Sequence, residues 1–209
     1  MDLFVKPSDG FSVEELIPDD KSDFASSAKL YRSVFDDEQC RTLFNNLAHS
    51  IAWEQREITL FGKRHLQPRL IAWYGDGGAS YTYSGLKLRP RPWVVPLMEI
   101  KTACEAVAGA RFNGVLLNQY RDGNDAMGWH SDNETELGTN PTIASVSFGA
   151  SRRFDLRHKR TKETIRSWLP NGSILVMSGQ TQTDWVHQVP RTKKVGDARI
   201  NLTFRWVHA

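Results

Sequence analysis

Residues 198–206 read Ala-Arg-Ile-Asn-Leu-Thr-Phe-Arg-Trp, and their alternation decides the fold. In a strand, side chains two positions apart share a face. Ile200, Leu202, Phe204 and Trp206 therefore make an apolar face, and Arg199, Asn201, Thr203 and Arg205 a polar one. An edge strand could hold those arginines in water. If the polar face turns inward, two arginines and an asparagine need an anion to offset their desolvation. Arg199 and Arg205 are six positions apart, roughly 20 Å at the rise of a strand. Side chains of that length can converge on the two ends of a short diacid, each forking onto one carboxylate.

Outward from this strand, residues 115–120, 142–148, 153–157, 164–169 and 173–177 are also β-rich, separated by turn signals such as Arg-Asp-Gly and Pro-Asn-Gly. Two helices precede them. Asp36 is placed to cap the first, with Asp37 and Glu38 in its first turn and Leu43, Phe44 and Leu47 at helical spacing. The second runs from about Pro92 to Val107, with Leu97, Ile100, Cys104 and Val107 on one stripe and Gly109 as its stop. Helices followed by many short strands predict an α+β domain around a jelly roll, with the helices lying on a sheet. No linker divides residues 29–209, and residues 1–28 read as an acidic leader, extended or flexible.

The net charge of +3 is unevenly spread. Residues 1–24 hold seven acids against two lysines, whereas 152–166 hold Arg152, Arg153, Arg157, Lys159, Arg160, Lys162 and Arg166 against Asp155 and Glu163. Such a hairpin is either a solvated face or an attractor of polyanions. No run of about 18 apolar residues predicts a membrane helix, and the N-terminus does not read as a signal peptide. Cys40 and Cys104, far apart, read as reduced thiols of the cytoplasm or nucleus.

His130 and Asp132, in Gly-Trp-His-Ser-Asp, can face one cation together if the segment is extended. Alone the pair is weak evidence. A distant second histidine, His187, completes the pattern of two imidazoles and one carboxylate that holds non-haem iron(II) with three positions open. Asn118 and Tyr120 share a strand face and offer an amide and a phenol to a ligand carboxylate.

Together, Asn118-x-Tyr120, His130-x-Asp132, His187 and Arg199-x-Asn201-x-Thr203-Phe204-Arg205 resemble the AlkB family of Fe(II)/2-oxoglutarate dioxygenases. The segments 143–154, 68–70, 74–76 and 81–85 match in the same order, so the resemblance spans about residues 30–207. It implies a double-stranded β-helix (jelly-roll) core with supporting N-terminal helices and a nucleotide-recognition lid over about 53–92. It implies that His130, Asp132 and His187 bind Fe(2+), with O2 and 2-oxoglutarate as co-substrates. Arg199 and Tyr120 would meet the distal carboxylate. Arg205, Asn201 and Asn118 would meet the end near the metal. Phe61, Tyr81, Tyr83, Trp129, Glu134 and Arg153 would contact substrate. The implied activity is oxidative dealkylation of N-alkylated bases such as 1-methyladenine and 3-methylcytosine in DNA or RNA, by a monomer, with succinate as the co-product. Hydroxylation of a protein, lipid or metabolite on the same scaffold, and nucleic-acid binding without catalysis, are the competing expectations.

Overall fold

The computed structural model describes residues 10–17, 25–60, 63–83 and 86–208. In chain order the strands and helices are β1 (Ser12–Ile17), β2 (Ser27–Arg32), α1 (Asp37–Ser50), β3 (Glu57–Leu60), β4 (Lys63–Leu66), β5 (Leu70–Gly75), β6 (Tyr81–Tyr83), β7 (Leu86–Leu88), α2 (Val95–Ala108), β8 (Gly114–Tyr120), β9 (Met127–His130), β10 (Ile143–Gly149), β11 (Arg152–His158), β12 (Thr164–Leu169), β13 (Ser173–Ser178), the single turn α3 (Thr181–Asp184), β14 (Trp185–Val189) and β15 (Arg199–Arg205). Seven strands form a major sheet in the order β1-β2-β13-β10-β15-β8-β5, and four form a minor sheet, β12-β11-β14-β9. Pairing within both is antiparallel, which gives the jelly roll.

The period-two pattern of the sequence builds the two sides of the major sheet. Val115, Leu117, Ala144, Val146, Phe148, Ile200, Leu202 and Phe204 point to one side, where Leu43 and Leu47 of α1 and Leu97, Ile100 and Cys104 of α2 pack on them. Leu47, Leu97 and Ile100 are completely buried, and each such side chain contributes about 1.5–3 kcal/mol to stability. The opposite residues of β8, β10 and β15 face the minor sheet and form the walls of a cleft.

Local signals set the helix ends. Asp36 accepts from the backbone N–H of Gln39, whose side chain accepts from the backbone N–H of Asp36, a reciprocal capping box. Gly109 ends α2 in the left-handed conformation, as its position predicts. The start of α2 is later than expected: residues 92–94 lie outside the helix with Val94 extended, Arg91 bridges to Tyr74, and Pro96 occupies the first turn. Between β12 and β13, Gly172 has φ +71, and a Cβ there would lie 2.5 Å from the Phe35 carbonyl oxygen, so glycine is required.

One expectation is revised by the structure. Trp206 stands beyond the end of β15 and is 45% exposed, so the apolar face stops at Phe204. Where it is described, the acidic leader is paired: β1 lies on β2, and β2 closes against β13. Glu14 and Glu15 satisfy Arg32 and Lys29 across that pair, which period-two reading of a charged segment could not foresee.

Candidate active site

The cleft between the sheets is lined by the polar faces of β8 and β15 and by the strands that carry the two histidines. Register places Tyr120 opposite Arg199 and Asn118 opposite Asn201, with Ser145 of β10 opposite Thr203. His130 of β9 lies opposite His187 of β14. Leu116, Met127, Phe154, Leu169, Met177 and Val189 supply apolar walls. The ring of Phe154 stacks on His187 with centroids 5.3 Å apart.

At one end, ligand atoms of His130, Asp132 and His187 all lie within 4.8 Å of one another. Nδ1 of His130 is 2.8 Å from the Gly128 carbonyl, so it donates there and Nε2 keeps its lone pair for a cation. The Asp132 backbone N–H donates to Gln182 Oε1, at 2.9 Å. Asp132 Oδ2 accepts from Arg205 Nη2 at 2.6 Å and Nε at 3.2 Å. Asp132 Oδ1 and His187 Nδ1 are buried with no hydrogen-bond partner. Buried polar atoms without a partner are rare. Two imidazoles and a carboxylate with orphaned atoms fit a divalent cation that keeps open positions.

The electrostatics already favour the metal-binding protonation states. Burial first, then the neighbouring His130, pushes His187 down to about 3, so it is neutral. Burial also lowers His130, against the opposing pull of Asp132. For Asp132 burial pushes upward, but Arg205, His187 and His130 overcome it and hold the carboxyl at about 2.

At the other end of β15, Arg199 is 1% exposed. It donates Nη2 to Ser147 Oγ at 3.0 Å, and its Nε and Nη1 have no hydrogen-bond partner. Burial lowers its pKa to about 10, which leaves it charged at neutral pH. Among the described residues it pairs with no carboxylate. An anion arriving through the cleft would meet two unsatisfied donors.

The two arginines of β15 therefore differ. Arg205 has an internal counter-ion, Asp132, whereas Arg199 has none, so the expectation that both wait for an outside anion is corrected for Arg205. Spacing could not reveal this, because Asp132 and Arg205 are 73 positions apart. Asn201 is satisfied by Ser145 Oγ, the Val146 carbonyl and Thr203 Oγ. Asn118 Oδ1 accepts from Arg69 Nε at 2.7 Å.

None of the expected substrate contacts that are described lines the cleft itself. Trp129 is half-buried, with the Arg157 guanidinium 4.2 Å from its ring centroid. Glu134 is half-buried just after the metal loop. Arg153 is exposed and pairs with buried Asp155. Tyr81 and Tyr83 sit on β6, paired through their backbones with Leu88 and Leu86. Phe61 lies outside the described residues. The basic hairpin is also revised: Arg152 is 1% exposed and donates to three carbonyls, so it belongs to the interior, leaving Arg153, Arg160, Lys162 and Arg166 exposed.

Three further groups had no assigned role in the sequence. Gln182 fixes the Asp132 backbone, Lys159 donates to Ser131 Oγ and the Gln182 carbonyl, and Arg69 orients Asn118. Arg69 carried a signal as part of the Pro-Arg-Leu segment and Lys159 as part of the basic hairpin, whereas Gln182 carried none.

The model of the 2OG-Fe(II) oxygenase superfamily matches residues 27–205. DNA oxidative demethylase ALKBH2 of Mus musculus is 42% identical over 186 residues, 84% of this chain and 78% of that protein. The Homo sapiens ALKBH2 is 41% identical, covering 84% and 71%. Alpha-ketoglutarate-dependent dioxygenase alkB homolog 3 of Rattus norvegicus is 39% identical over 86% of this chain, which spans 63% of that relative. The solved structure of OsALKBH1 superposes with a TM-score of 0.61 at 16% identity, over 86% of this chain and 96% of that one, a likeness of fold.

Proposed function

We propose that this chain, which belongs to the 2OG-Fe(II) oxygenase superfamily and within it to the AlkB family, removes N-alkyl groups such as methyl from 1-methyladenine and 3-methylcytosine in DNA, in repair of alkylation damage. It is an Fe(II)/2-oxoglutarate-dependent dioxygenase. The observation that carries the reading is the cleft itself, with two neutral histidines and one ionised carboxylate clustered at one end and a buried arginine lacking an anion at the other.

Iron(II), 2-oxoglutarate and O2, when bound together, supply hydroxylation of the N-alkyl carbon with decarboxylation of 2-oxoglutarate to succinate, after which the hydroxylated group leaves as an aldehyde. His130, Asp132 and His187 would hold the metal. Arg205 keeps Asp132 ionised and in place, and stands beside any carboxylate bound near the metal. Arg199 would pair with the distal carboxylate, with Tyr120 alongside and Asn118 and Asn201 lining the path between. Phe154, Leu169 and Met177 give the cleft an apolar wall.

A base must leave its stack to reach this cleft. Trp129, backed by Arg157, would offer a stacking surface, Glu134 would read the base edge, and Tyr81, Tyr83 and Phe61 of the lid would hold the flipped nucleotide. Exposed Arg153, Arg160, Lys162 and Arg166 would meet phosphates. Two buried free thiols, Cys40 and Cys104, suit work in a reducing compartment, cytoplasm or nucleus.

Succinate production with and without a methylated oligonucleotide tests the proposal. Stimulation by a methylated strand, and none by the same strand unmethylated, is expected. Equal succinate in both would leave the dioxygenase and refute the substrate.

A further inference from the structure

Arg152 is among the most deeply buried large side chains of the protein, and the reading so far gives it no task. It opens β11 behind the cleft and does not line it. Nη1 donates to the Asp122 carbonyl at 2.8 Å, and Nη2 to the carbonyls of Asp125 and Pro190 at 2.8 and 2.9 Å. Its Nε is buried without a partner. The nearby acids are engaged elsewhere: the Asp125 carboxylate is held by Arg121, and that of Asp122 by Asn124. Arg152 thus places a full charge in the interior with hydrogen bonds to neutral carbonyls alone, the Asp125 and Asp122 carboxylates attracting it only from beyond bonding distance, although a neutral amide could donate to carbonyls at a lower desolvation cost.

The charge has one conspicuous neighbour. The guanidinium carbons of Arg152 and Arg199 lie 5.5 and 5.1 Å from the same ring centroid, that of Tyr120. Two buried cations within about 6 Å of one phenol are each attracted to its ring and repel each other. A negative charge entering that end of the cleft would relieve both.

We infer that Arg152 is a positioning residue for the co-substrate, and that its buried charge, set beside Tyr120 and Arg199, makes the far end of the cleft select a 2-oxo acid with a second carboxylate. The inference rests on the dioxygenase reading. Arg152 does not touch the co-substrate. It acts through the field it adds to Arg199 and through the carbonyls that fix the β8–β9 loop and the end of β14. One charge acting at about 8 Å through an effective dielectric of about 20 changes an affinity some tens of times.

The test is calorimetric titration of the Mn(II)-loaded protein, without nucleic acid or turnover, with 2-oxoglutarate and with 2-oxobutyrate, which lacks the distal carboxylate. Arg152→Gln keeps donors for the carbonyls and removes the charge. It should weaken 2-oxoglutarate binding about ten- to a hundredfold and leave 2-oxobutyrate binding within about threefold, while Arg152→Lys keeps the wild-type preference. Wild-type affinity in Arg152→Gln, an equal loss for both acids, or a lysine variant as weak as the glutamine one would overturn the inference. If Arg152→Gln does not fold, Arg152→Lys carries the test alone, since it keeps the charge and gives up the fork: an unchanged preference supports the inference and a tenfold fall overturns it. A wild type that binds 2-oxobutyrate and 2-oxoglutarate equally overturns it too. A wild type that binds neither acid removes the dioxygenase reading and this inference with it, an outcome distinct from all the others.

Discussion

Replacing Arg205 by methionine tests how the metal end is held together without the metal. Arg205 and Asp132 are 3% and 2% exposed and joined by two hydrogen bonds, at 2.6 and 3.2 Å. Removing the guanidinium leaves the carboxylate buried beside two neutral imidazoles, with both of its oxygens now lacking a strong donor. Breaking such a pair by deleting one partner costs about 3–5 kcal/mol. In a chain of this size 1 kcal/mol shifts the melting temperature by about 2–4 °C, so the metal-free variant should melt roughly 6–20 °C lower. A divalent cation on Asp132 supplies the missing positive charge, so with saturating Mn(II) the deficit should shrink to less than half. Urea unfolding with and without Mn(II), on wild type and Arg205→Met, reads both numbers. A metal-free loss below about 1 kcal/mol, or the same loss with and without metal, would refute the argument that Arg205 stands in for a cation at Asp132.

Other predictions follow from the same cluster and from the core. Asp132 and His187 both release their protons more readily folded than unfolded, at about 2 and about 3. The folded state therefore binds fewer protons, and their contribution, complete above about pH 6.5, is lost as pH falls, first through His187 between about 6.5 and 3 and then through Asp132 between about 4 and 2. Metal-free protein should show this as a melting temperature that declines steadily with acidity, and Asp132→Asn should flatten the lower part of the curve. Because the ligands are already deprotonated, Mn(II) titrations at pH 7 in buffers of different ionisation heat should give the same enthalpy; a buffer-dependent enthalpy would contradict the pKa assignments. Cys40 and Cys104 are buried and their thiols are pushed upward by burial, Cys40 to about 11, so a thiol reagent should label them only after unfolding.

Much of this was legible in the sequence because local rules and the fold agree. The alternation of residues 199–205 is the one the structure uses, with Ile200, Leu202 and Phe204 on the helices and Arg199, Asn201, Thr203 and Arg205 in the cleft. Asp36 and Gly109 were readable because caps are decided within four residues. What escaped depends on distant partners. Arg205 looks like Arg199 in the sequence, and only the fold brings Asp132 to one and leaves the other without an acid. Arg152 looks like part of a basic hairpin, yet its side chain runs inward to carbonyls of residues 122, 125 and 190. Gln182, which holds the Asp132 backbone, sits in a one-turn helix with no periodicity to mark it. The acidic leader has the composition of a solvated segment, but β2 finds an open edge on β13 and β1 follows it.

The most direct test of the central claim is the mass of a single-stranded oligonucleotide carrying one 1-methyladenine, after incubation with the protein, Fe(II), 2-oxoglutarate, ascorbate and air, with Asp132→Ala in parallel. The account predicts loss of one CH2 unit in the wild type alone, with succinate formed alongside. An unchanged oligonucleotide with the wild type, or equal loss with Asp132→Ala, would contradict it.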